Sequence, residues 1–209
     1  MIARSLNGVN NADHRGQALR SYNESEPCYP PFLRTAKEFS SPVTADLIIS
    51  LIGMPGSGKS TVGQVLASHL ALELVDADGL IEAQEAQTLQ QIMDSQGNAA
   101  FRAIEEQVLT EMPLFPSVIS TGGSVVYSEK IMARLAAAST VVYLRAQLPT
   151  IEYRVSLAPQ RGIASNGDQT LKDLYEERVP LYERYADIVV DCDSASPEEI
   201  AEHIAAHVS

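Results

Sequence analysis

Eight residues, Gly53-Met54-Pro55-Gly56-Ser57-Gly58-Lys59-Ser60, match G-x-x-x-x-G-K-[ST] and lie between an apolar run, LIISLI, and a helical pattern, STVGQVLASHL. Strand, loop and helix in that order are the setting in which such a loop holds phosphate. Its glycines let backbone N–H groups turn inward around phosphate oxygens, and the following helix adds its positive N-terminal end. Lys59 then reaches the β- and γ-phosphates, and the Ser60 hydroxyl is a ligand for Mg²⁺. The competing reading is a Gly-rich turn that happens to precede Lys-Ser. All fixed positions and both flanks argue against it, so the chemistry expected is binding of a nucleoside triphosphate.

A phosphate loop alone does not separate a kinase from a GTPase or a motor. Asp76 and Asp78 directly follow a second apolar run, LELVD, at the C-terminal end of an expected strand. Ligands of an open parallel sheet bind at that edge. Alternate residues of an extended segment point the same way, so both carboxylates can face the loop. One would serve Mg²⁺ and the other an acceptor hydroxyl. The plainer alternative is that Asp78 caps the helix read in GLIEAQEA.

The elements that must position these groups follow from periodicity. Short apolar runs at 47–52, 72–76, 117–121, 140–145 and 187–191 read as strands buried on both faces. Helical patterns separate them at 60–70, 79–95, 98–112, 128–137, 147–157, 171–186 and 197–207. Ser196-Pro197-Glu198-Glu199 forms a capping box with proline at the first helical position, and Pro180 is expected to kink or divide its helix. Strands alternating with helices mean an α/β fold with a five-stranded parallel sheet covered on both faces. Residues 1–45, with NGVNNADHRG and SEPCYPPF, lack either period and read as an irregular or disordered extension to a single domain at 46–209.

Composition narrows the partners. The chain of 209 residues carries a formal net charge of -12, which excludes a broad nucleic-acid surface. Its two cysteines, Cys28 and Cys192, have no metal-binding or disulfide-framework spacing, and no apolar run nears the roughly 18 residues of a membrane span. A cytoplasmic monomer acting on a small molecule is expected, with neither nucleic acid nor membrane as partner.

Four stretches in order, the loop followed by DAD at 76–78, then GNAAFRAIEE, STGGS and ERVPLYERYAD, resemble the shikimate kinase family over residues 47 to 207. The resemblance implies a three-layer P-loop kinase fold with strand order 2-3-1-4-5. It also implies transfer of the ATP γ-phosphoryl group to the 3-hydroxyl of shikimate, a step of aromatic amino acid biosynthesis, with Mg²⁺ as cofactor. Position by position, it places the nucleotide on Gly56, Ser57, Gly58, Lys59, Ser60, Thr61 and Arg154, and the metal on Ser60 and Asp76. It assigns Asp78 to the acceptor hydroxyls as base or orienter, and Arg102 and Arg178 to the substrate carboxylate. The Gly122-Gly123 turn would meet the substrate ring, and Arg161 would be the lid arginine that approaches the transferring phosphate. The third glycine usual in the family turn is here Ser124, and the usual lid Arg-Pro-Leu-Leu is Arg161-Gly162-Ile163-Ala164.

Charge supports that assignment separately. Only ten Lys or Arg lie in residues 46–209, and five of them are Lys59, Arg102, Arg154, Arg161 and Arg178. An anionic acceptor and a polyanionic donor need such cations, and arginine suits carboxylate and phosphate through its planar fork. Glu105, one turn after Arg102, is expected to hold that arginine by an i,i+3 pair. Residues 157–170, rich in Gly, Pro, Asn and Ser, read as a closing lid. Two other readings stay open: a related kinase acting on another hydroxy-acid or polyol, and a non-catalytic ATP-binding regulatory module.

Overall fold

The computed structural model describes residues 46–157 and 169–208. The expected extension at 1–45 lies outside them, as does most of the expected lid, Arg161 included.

Five strands, β1 (Ile48–Ile52), β2 (Glu73–Asp76), β3 (Ser117–Ser120), β4 (Thr140–Arg145) and β5 (Ile188–Asp191), form one sheet of order β2-β3-β1-β4-β5. Every pairing is parallel, with Leu51 of β1 opposite Ser120 of β3 and Val142 of β4. Successive side chains of a strand alternate between faces, so each apolar run feeds two cores. Ile49, Leu51, Val142 and Leu144 pack under α1 (Lys59–Leu70) and α7 (Pro197–Val208). Ile52, Val141 and Tyr143 face the larger core on the other side. That core is closed by α2 (Ala77–Glu85), α3 (Leu89–Glu111), α4 (Glu129–Ala138), α5 (Leu148–Leu157) and α6 (Leu171–Tyr185).

Three helical expectations change. The helix expected at 79–95 is two helices: α2 stops at Glu85, Ala86 turns left-handed at φ 52°, and Thr88 caps α3. Thr88 and Gln91 make a capping box, with Gln91 N donating to Thr88 Oγ1 at 3.2 Å and Thr88 N donating to Gln91 Oε1 at 2.9 Å. The gap expected near residue 97 is instead a bend within α3, where Gly97 takes φ 83° and ψ 167°. Pro180 does not divide α6, which continues to Tyr185. Glu176, Glu177 and Pro180 are exposed, so water can take the carbonyl that a proline ring leaves without its N–H. The capping box at Ser196 forms as expected, with Ser196 N bonded to Glu199 Oε2 at 2.8 Å.

Candidate active site

The phosphate loop leaves the end of central strand β1 and enters α1. Gly53 has φ 148°, and a Cβ there would sit 2.7 Å from Leu144 O on the neighbouring strand, so no other residue fits. Ser57 N closes the turn on Met54 O at 3.0 Å. Lys59, the first residue of α1, folds back across the loop and donates to Gly53 O at 2.9 Å and Met54 O at 3.0 Å. The Ser57 hydroxyl is buried with no hydrogen-bond partner, and Ser60 Oγ lies 3.4 Å from Ser120 Oγ. An unpartnered hydroxyl beside a buried ammonium, inside a ring of turned backbone, is the donor set an oxyanion needs. Burial lowers the Lys59 pKa to about 8; Asp78 raises it, Arg178 lowers it further and Asp76 raises it.

The second wall comes from β2 and α2. Asp76 ends the strand and caps the helix, its Oδ1 accepting from Asp78 N at 3.2 Å. The residue that caps is therefore Asp76, and Asp78 sits within the first turn of α2. Both acids line the cleft of about 810 Å³ that Lys59, Ser60 and Thr61 also line.

The third wall is the turn after β3. A Cβ on Gly122 would collide with Glu105 Oε1 and lie 3.2 Å from Asp78 Oδ1. A Cβ on Gly123 would lie 2.9 Å from Pro55 and 3.2 Å from Arg178 Nη1. Only glycines let this backbone pass between the phosphate loop, the α2 acid and the α6 arginine. The Tyr182 hydroxyl fastens the turn by donating to Gly123 O at 2.6 Å.

The arginines occupy distinct places. Arg178 is 1% exposed and lines the cleft, with Nε donating to the Tyr127 hydroxyl at 3.1 Å. Arg102, on α3, has its Cζ 4.2 Å from the Tyr127 ring centroid, with Nε and Nη2 buried and without hydrogen-bond partners. Arg154 bridges two loops, donating to Cys192 O at 2.8 Å and approaching Gly56 O and Ser57 O at 3.5 Å.

The i,i+3 pair expected between Arg102 and Glu105 is not formed as a hydrogen bond. Glu105 Oε2 accepts instead from the buried Ser124 hydroxyl at 2.8 Å, and its Oε1 has no partner. The serine at the family's third glycine position thus competes for the carboxylate, and the nearer hydroxyl has it. Burial raises the Glu105 pKa to about 7; the Ser124 bond lowers it, Asp78 raises it, and Arg178 and Arg102 lower it.

A stability prediction follows from this carboxyl. The unfolded chain loses the proton near pH 4.5 and the folded chain near 7, so between these values the folded state holds the extra proton. Raising the pH through that window destabilises the fold, by on the order of 3 kcal/mol in total. Melting temperature measured from pH 4 to 8 should fall more steeply for the native chain than for Glu105→Gln. Parallel curves would place the buried proton elsewhere.

Tyr127, which contacts both Arg102 and Arg178, has no signal in sequence spacing. It becomes visible only once the short 3₁₀ turn Val125–Tyr127 folds the chain back over α3 and α6.

A five-stranded parallel sheet of this order, a lysine-bearing phosphate loop on its central strand and an acid facing that loop define a P-loop small-molecule kinase. Residues 55–209 match the family model described as Shikimate kinase, and the chain belongs to that family. It is 39% identical over 157 residues to a shikimate kinase of Thermobifida fusca (strain YX), covering 74% of this chain and 91% of that protein. It is 40% identical over 158 residues to one of Salinispora arenicola (strain CNS-205), covering 75% and 94%. A solved shikimate kinase from Acinetobacter baumannii in complex with shikimate is similar at TM-score 0.73 and 28% identity, covering 79% of this chain and 94% of that one. The Aquifex aeolicus vf5 shikimate kinase is similar at TM-score 0.66 and 31% identity, covering 77% and 95%.

Proposed function

We propose that this chain transfers the γ-phosphoryl group of ATP to the 3-hydroxyl of shikimate, and that residues 46–209 carry the reaction. The observation that supports this most is that Lys59, Asp78 and Arg178 line one cleft with Gly122 and Gly123, where a Cβ would press on the acid and the arginine.

Residues 53–61 bind the triphosphate, with the Lys59 ammonium against the oxygens that carry the developing charge. Arg154, held between the phosphate loop and the end of β5, lies on the side where the nucleotide base would rest. Ser60 and Asp76 would hold Mg²⁺, which would neutralise negative charge on the triphosphate. Arg178 and Arg102 meet the acceptor carboxylate, which supplies the partners that the buried Arg102 donors lack. Asp78 receives the hydrogen bond, and then the proton, of the 3-hydroxyl as its oxygen forms the new bond to phosphorus. The bond between the γ-phosphorus and the bridging oxygen breaks, and ADP leaves.

The test is product formation. Purified protein with ATP and Mg²⁺ should phosphorylate shikimate, and not gluconate, homoserine or nucleoside monophosphates, when products are resolved by mass spectrometry. Turnover of gluconate or homoserine with none of shikimate would assign the site to another hydroxy-acid. ATP binding with no product from any acceptor would leave a regulatory module.

A further inference from the structure

We propose that Tyr127 is a positioning residue for the acceptor carboxylate, using its ring for Arg102 and its hydroxyl for Arg178. The inference rests on the reading above, that the acceptor is an anion held by these two arginines. Two guanidinium groups brought to one anion site repel each other before the anion arrives, and something must hold them there. The Arg102 Cζ lies 4.2 Å from the Tyr127 ring centroid, and the Arg178 Cζ lies 5.1 Å from it. The negative face of an aromatic ring attracts such cations, most strongly where water is excluded. The phenol oxygen also accepts from Arg178 Nε at 3.1 Å. Nε is then committed, and the Nη1 end stays beside Gly123 in the cleft.

The tyrosine is itself held from both ends. Its N–H donates to Ser124 O at 3.0 Å, and Ser128 N donates to Val125 O at 3.1 Å. The hydroxyls of Ser124 and Ser128 donate to Glu105 at 2.8 Å and Glu106 at 2.7 Å, adjacent residues of α3. That helix also carries Arg102, so ring and guanidinium share one rigid mount. A side chain that merely filled space would need neither the hydroxyl contact nor this anchoring.

The experiment compares Tyr127→Phe and Tyr127→Leu with the native chain, using shikimate and its methyl ester as acceptors. Tyr127→Phe keeps the ring and loses the Arg178 bond, so the shikimate KM should rise about threefold; Tyr127→Leu loses both and should raise it about tenfold or more. In each variant kcat and the ATP KM should stay within about twofold of native, since the interaction is the same in ground and transition states. The ester has no carboxylate to position, so native chain and Tyr127→Leu should process it with kcat/KM values within about twofold.

A shikimate KM unchanged in Tyr127→Leu would overturn the inference. So would an equal loss on acid and ester, which is the mark of a structural role. A native chain inactive on shikimate would instead overturn the acceptor assignment, and this inference with it.

Discussion

Lys59→Ala should turn over roughly 10³-fold more slowly than the native chain, the scale of losing a preorganised charge at the transferring group. Lys59 is 8% exposed and its ammonium is held on Gly53 O and Met54 O, so it is already in the loop before any phosphate arrives. Burial penalises the charged form, which is why its pKa falls to about 8. Two further results follow from the same cause. Nucleotide affinity of the free enzyme should weaken as pH rises through about 8, because the neutral amine form then grows. The alanine variant should melt no lower than the native chain, since it sheds a buried charge rather than a packed apolar group. Steady-state kinetics, nucleotide titrations from pH 6 to 9.5 and thermal melts read all three. Turnover within tenfold of native would remove Lys59 from the phosphate site.

The second large effect belongs to Asp78. Asp78→Asn should lower kcat by about 10²- to 10⁴-fold, the range for loss of a positioned base, with little change in ATP KM. The amide keeps the shape of the carboxylate and its place in the first turn of α2, but cannot take a proton. The cap is unaffected, because Asp76 makes it. Asp76→Asn then serves as the contrast, since its expected loss depends on Mg²⁺ concentration while that of Asp78→Asn does not. A kcat for Asp78→Asn within a few-fold of native would leave the acid as an orienting group only.

Much of this was legible in residue patterns, for identifiable reasons. The strands appear within one residue of their expected bounds because each is a short apolar run ended by Gly, Asp or a charged residue. Their spatial order came from the resemblance to a family, since periodicity does not say which strands are neighbours. The join between α2 and α3 escaped the pattern because the amphipathic rhythm continues across it. Thr88 and Gln91, three apart, were the available sign. The alternative of Asp78 as a cap fails because α2 begins at Ala77, two residues before the helix its apolar residues suggest, so Asp76 takes the cap. The partner of Glu105 differs from the expected one for another reason. Helical spacing offered Arg102, while the hydroxyl that captures the carboxylate lies on a turn far along the chain. Contacts of that kind, Tyr127 with its two arginines among them, exist only in the assembled tertiary structure.

The placing of β1 has a bearing on synthesis and folding. Its two neighbours in the sheet, β3 and β4, are both reached only after α1, β2, α2 and α3 have been made. Closing such long intervening loops is what slows the folding of parallel sheets. Until Val142 leaves the ribosome, the apolar run Ile48–Ile52 has one or both edges unpaired and stands exposed to association with other chains. The nucleotide loop has Leu144 of β4 beside Gly53, so its surroundings are complete only once β4 has also been made.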